Sequence, residues 1–142
     1  MKKLLSLILA VAMLLSVSAV SLAEGGYKIA IMTGTTSQGE EEYYAATSLL
    51  EQYPDIAIHD TYPDNFSSEV ETTISKLIAF ASDPEVKSII FVQAVQGATA
   101  AFTQIAKDMG RDDILLIAGV PAEDPADIAA ATDIVLANDE IG

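Results

Sequence analysis

The chain has 142 residues, with 7 basic against 21 acidic side chains and no cysteine. A net charge of −14 at pH 7 disfavours nucleic acid and anionic membrane surfaces as partners, because both repel an acidic protein. Without cysteine there is neither a disulfide nor a cysteine-linked lipid anchor.

Lys2 and Lys3 precede an apolar run, Leu4 to Leu22, broken only by Ser6, Ser16, Ser18 and Ser21. Ser21-Leu22-Ala23 supplies the small residues that signal peptidase reads. Residues 1–23 therefore read as a signal peptide cut after Ala23, giving an extracytoplasmic, secreted or periplasmic, protein. An uncleaved membrane anchor is the alternative, because the run approaches bilayer-spanning length. Turn-prone Glu24-Gly25-Gly26 favours cleavage. The mature chain, 24–142, is then one domain that is not membrane-inserted. All 21 acidic but only five of the 7 basic side chains follow Ala23, a net charge of −16.

Beyond that point two periodicities alternate. Tyr27–Met32 is a short apolar run ending at Gly34, a buried strand by length and flanks. Glu40–Tyr53 sets Tyr43, Ala46, Leu49, Leu50 and Tyr53 on one helical face, and Pro54 stops it. Ile56–His59 is a second strand. After the polar turn "TYPDNFSS", a helix running to about Ser82 aligns Val70, Ile74, Leu77, Ile78 and Ala81. Its cap is expected among Asp64, Asn65, Ser67 and Ser68. Val86–Val92, Gly97–Met109, Ile114–Ala118, Ala122–Ala131 and Ile134–Ala137 continue as strand, helix, strand, short helix, strand. Near-continuous apolar strands alternating with helices predict a doubly wound α/β fold: five parallel strands, Rossmann-like, covered on both faces. The sequence stops just past the fifth strand, which reads either as a complete five-strand domain or, preferred, as a larger protein that has been cut.

The loop "GTTSQGEEE", Gly34 to Glu42, invites a phosphate reading and fails it. Gly34 and Gly39 have Walker spacing, but Glu40 and Glu41 stand where Lys and Ser or Thr are required. Thr36 stands where a dinucleotide fingerprint needs its second glycine. Three glutamates in the first helical turn favour the helix dipole and repel an anion there. A hydrolase reading is equally poor. Thr35 replaces the first glycine of a nucleophile elbow around Ser37, and the sole histidine, His59, falls too early in chain order. A phospho-receiver would need an aspartate where the third strand ends Phe91-Val92-Gln93. Glu123, Asp124 and Asp127 follow Pro121 and read as a capped helix start, not a metal site. No cofactor is expected.

What remains is a ring of uncharged polar residues at the carboxyl ends of strands, where open parallel sheets bind ligands. Thr33, Gly34, Thr35, Thr36, Ser37 and Gln38 follow the first strand, Tyr62 the second, Gln93 and Gln96 the third. Hydroxyls, amides and one aromatic ring suit a small polar solute, sugar- or nucleoside-like.

The segments "IAIMTGTTSQGEEEY", "YPDNFSSEVETTISKL", "FVQAVQGA" and "AGVPAEDP" resemble an exported bacterial domain-of-unknown-function family. That family looks like a distant branch of the type I periplasmic binding proteins, near the basic-membrane-protein group. The resemblance implies a two-lobed fold with a ligand cleft, of which residues 24–142 form the N-terminal lobe. The first functional reading is a non-enzymatic solute receptor in transport or sensing, with an ABC-type membrane transporter as partner. An exported α/β hydrolase-like enzyme and a ligand-free surface interaction domain are the alternatives.

Overall fold

The computed structural model describes residues 26–137. The expected signal peptide, its cleavage point and the terminal stretch 138–142 lie outside them. Five strands, β1 (Lys28–Thr33), β2 (Ala57–Thr61), β3 (Val86–Phe91), β4 (Leu115–Gly119) and β5 (Ile134–Leu136), form one sheet. All four pairings are parallel, in the order β2-β1-β3-β4-β5. The connecting helices are α1 (Glu40–Gln52), α2 (Val70–Ser82), α3 (Ala98–Thr103) and α4 (Pro125–Ala131). The doubly wound α/β class is as expected from the alternating periodicities.

Strand register explains the core. Met32, Phe91, Ala118 and Val135 pair in sequence across β1, β3, β4 and β5, so they share one face. The first three are fully buried. Leu77 and Phe80 of α2, Ala98, Ala101 and Phe102 of α3 and Ile128 of α4 pack against them in one cluster. Ile31, Ile90, Ile117 and Ile134 form the neighbouring row, and it faces the other way. Only α1 lies on that side, over β1 and β2, with Ala46 its one buried residue. Exposure accordingly climbs outward, from 6% at Ile31 to 39% at Ile134. Helices flank both faces, as expected, but unequally among the described residues: three helices share one face and a single helix serves the other.

Two local details also differ from expectation. None of Asp64, Asn65, Ser67 or Ser68 caps α2; its N-cap is Glu69, without a side-chain bond. And α3 widens into a π-helical segment, Gln104–Asp108, whose longer backbone loop no side-chain pattern announces. Gly97 precedes α3 at φ +98°, and a Cβ there would meet Val70 and Ile74 at 3.0 Å. Both the dihedral and the space require glycine.

Arg111 fastens the amino-terminal edge of the sheet. Its guanidinium donates to the carbonyls of Ala81, Asp83 (3.1 Å) and Val86 (2.8 Å), and its Nε to Asp113 (2.7 Å). The bond from Arg111, then that from Lys87, holds the Asp113 carboxyl well below the usual range. A depressed folded pKa stabilises above the ordinary value of 3.8 and is lost as pH falls through the lowered one. Replacing Arg111 with Met should cost about 2–3 kcal/mol in urea denaturation at pH 7, since three carbonyls lose a charged donor. It should also flatten the fall in stability between pH 4 and 2. An unchanged midpoint would show that the guanidinium is not what joins this edge.

Candidate functional site

Strand order locates the crevice. The connection leaving β1 goes to β2 on one side, and that leaving β3 goes to β4 on the other. Loops diverge at the carboxyl ends of β1 and β3, the switch point where ligands enter such sheets.

Most of the expected residues meet there, in two groups. In the first, Thr35 and Ser37 both donate hydroxyls to Oδ1 of Asp64, the latter at 2.8 Å. Thr35 and Ser37 also touch at 2.7 Å. Gln38 Nε2 donates to the carbonyl of Asp64 at 2.8 Å, while its Oε1 is buried without a hydrogen-bond partner. The loop after β1 is thereby pinned to the turn after β2. In the second group Tyr62 Oη donates to Gln93 Oε1 at 3.1 Å, and Gln93 Nε2 donates to Glu42 Oε1 at 3.0 Å. This chain of bonds links β2, β3 and the first turn of α1.

The residues divide into floor and rim. Thr33 is fully buried; its hydroxyl donates to the Gly34 carbonyl and lies 2.8 Å from His59 Nε2. Because the hydroxyl proton is used, the ring must be the donor in that contact. Gly34 is buried too, and a Cβ on it would approach Tyr62 Oη to 2.9 Å. Tyr62 is 1% exposed, its ring edge-on to Phe66 and Phe91. This corrects the expectation that the aromatic ring meets the solute: the ring belongs to the core and its hydroxyl orients Gln93. Thr35, Gln38 and Gln93 are half-buried, and Thr36, Ser37 and Gln96 are exposed. These six can reach a solute.

Two site residues carry more than their sequence reading assigned. Asp64 is a clasp rather than a cap. Glu42 lies back across Gly39 and bonds Gln93, so the protein's own carboxylate occupies the helix start. No local pattern signals either role, because both partners are distant in sequence. Glu123 is similar: it accepts from the amides of Gly97 (2.9 Å) and Thr99 (2.7 Å), closing the start of α3, while Asp124 caps α4.

Ser37 and His59 are engaged separately, Ser37 with Asp64 and His59 with Thr33. Burial lowers the His59 pKa, opposed by Asp60, and the Tyr43 ring stands edge-on to it at 5.3 Å. Among the described residues no group of three or more acidic or imidazole side chains is arranged to hold a metal, and no helix is long and apolar enough to cross a membrane.

A doubly wound α/β domain with a polar switch-point rim is the class these features define. The chain belongs to the family described as Protein of unknown function (DUF3798), which matches residues 27–142. It is 33% identical over 120 residues to an uncharacterized protein of Treponema pallidum (strain Nichols). That match covers 80% of this chain and 53% of the relative, so the chain spans about half the relative's length. A crystal structure of a "Putative transcriptional regulator" from Clostridium difficile 630 shares the fold, with TM-score 0.70 and 21% identity. There the match covers 78% of this chain and 33% of that one.

The hydroxyls of Thr35, first, and Ser37 lower the Asp64 pKa, so the clasp favours the charged carboxylate. It holds above the ordinary 3.8 and releases as pH falls through the depressed value. In an NMR titration the Asp64 midpoint should lie below 3.8 and return towards it when Thr35 and Ser37 are both changed to Ala. A midpoint indifferent to those changes would dissolve the clasp.

Proposed function

We propose that the chain is the N-terminal lobe of an extracytoplasmic solute-binding protein, related to the type I periplasmic binding proteins, serving transport or sensing. The observation that carries the reading is the composition of the switch-point rim. Thr35, Thr36, Ser37, Gln38, Gln93 and Gln96 offer hydroxyls and amides, and Glu42, one of three glutamates in the first turn of α1, is hydrogen-bonded to one of them.

Such a rim recognises groups that both donate and accept hydrogen bonds. Sugar hydroxyls and nucleoside edges do so, and an amine would find Glu42 as well. A phosphate would face a carboxylate where it needs free amides. Lys28, Lys87 and Arg111 lie at the opposite edge of the sheet, paired with Asp83, Glu85 and Asp113, and Lys76, at the carboxyl end of β2, is held by Asp60 and the Thr61 carbonyl. The ligand is therefore a small neutral or cationic polar solute. An open rim on one lobe is half of a cleft, and a second lobe would supply the other half. An ABC-type transporter is the partner for uptake, and the leader at 1–23 delivers the protein outside the membrane.

Calorimetric titration against sugar, nucleoside and nucleotide panels should give binding to a neutral or cationic member and none to nucleotides. Gln93→Ala should weaken that binding by about tenfold or less, the worth of one hydrogen bond of roughly 0.5–1.5 kcal/mol. Tight nucleotide binding lost on changing Ser37 or Gln38 would overturn the reading. Failure of every small molecule would favour an interaction domain instead. Export has a separate check. Intact mass of the secreted protein should show Glu24 at its N-terminus; a membrane-retained product starting at Met1 would contradict it.

A further inference from the structure

The under-covered sheet face is built to be buried. A strand with one wet face alternates apolar and polar residues, whereas a strand covered on both faces is apolar throughout. Leu115-Leu116-Ile117-Ala118 and Ile134-Val135-Leu136 are apolar at every position. Yet Leu115, Ile134 and Leu136 are 43%, 39% and 55% exposed, while Leu116 and Ala118, pointing the other way, are at most 3% exposed. Along the inner edge of this bare strip runs a groove of 280 Å³, floored by Ile90 and Val92 and walled by Ala45, Ala46 and Leu49 of α1.

The deficit has a width. Five strands about 4.8 Å apart span roughly 19 Å between outer axes, and one helix covers about 10 Å of that. The uncovered part, over β3, β4 and β5, takes one more helix beside α1. We propose that an amphipathic helix from the part of the full-length family polypeptide outside residues 26–137 packs on this face, in the groove beside α1. Two observations select that occupant. The Treponema pallidum relative is only 53% covered by the shared domain, so polypeptide of this family extends well beyond it. And an all-parallel sheet is covered by helices on both faces, face-to-face sheet packing being the habit of antiparallel sandwiches. The first points to the same polypeptide, and the second to a helix rather than the sheet of a second copy. Neither depends on what the rim binds.

The absence of cysteine in this chain makes its arm of the test direct, and any native cysteine of the relative is first replaced by serine. Leu115→Cys and Leu136→Cys would report on the bare face, and Glu51→Cys, on the exposed side of α1, would serve as reference. In this chain all three should react with a maleimide at similar rates. At the aligned positions of the full-length relative, the two face cysteines should react at least about tenfold more slowly than the reference, as a buried site must open first. Equal rates in the full-length protein would overturn the proposal. So would protection in this chain that grows with protein concentration alongside a dimer in sedimentation, since the occupant would then be a second copy.

Discussion

The handedness of parallel crossovers governs this fold. A strand–helix–strand connection is right-handed almost without exception, so its direction along the sheet decides which face receives the helix. Only one step here, β1 to β2, runs one way; the three that follow run the other, the first of them passing over β1. That asymmetry has two consequences. It opens the crevice between the ends of β1 and β3, where the loops part. It also sends α2, α3 and α4 to one face and, among the described residues, leaves α1 alone on the other. The polar rim and the bare apolar strip are products of the same constraint.

The elements themselves were legible in the sequence because each is a local pattern. The run ending at Gly34, the stripe through Leu77 and Ala81, and the stop at Pro54 fall within a residue or two of the observed boundaries. Strand order was not legible, because apolar runs of similar length carry no label for their neighbours. The gathering of residues at the carboxyl ends could therefore be anticipated, but not the pairing of β1 with β3 that makes the crevice. Tyr62 shows the limit well. Its position after the second strand was read correctly, but whether its ring meets solvent depends on Phe66 and Phe91, and the latter arrives from another strand. Asp64, Glu42 and Glu123 fail for the same reason. Each looks like local helix-start chemistry, and each finds a partner at least 24 residues away.

Apart from the Lys76–Asp60 pair at the carboxyl end of β2, charge is sorted along the strands. Lys28, Lys87 and Arg111 sit at the amino-terminal edge, where they neutralise Asp83, Glu85 and Asp113 and tie the turns before β3 and β4 to the sheet. At the opposite edge the carboxylates of Asp64, Glu42 and Glu123 are met by hydroxyl, amide and backbone donors instead of cations. Neutral donors hold a carboxylate in place without cancelling its charge. The rim is therefore ordered and still electronegative, whereas the amino-terminal edge is ordered by being neutralised. Surface ion pairs contribute little individually; what distinguishes that edge is the Arg111 fork onto three carbonyls.

Glu42 stands where the two surfaces meet. Its carboxylate receives the Gln93 amide at the rim, and the same side chain lines the groove that runs down between α1 and β3. The helix carrying it is lightly held: α1 buries only Ala46, and its Tyr44 and the Tyr53 that follows it are more than half exposed. Apolar contact that fills the groove would therefore fix the position of α1, because little else does. Fixing α1 fixes Glu42, and through the Gln93 and Tyr62 hydrogen bonds it fixes the orientation of the amide that faces the crevice. The order of the polar rim is thus tied, through Glu42, to the packing beneath α1.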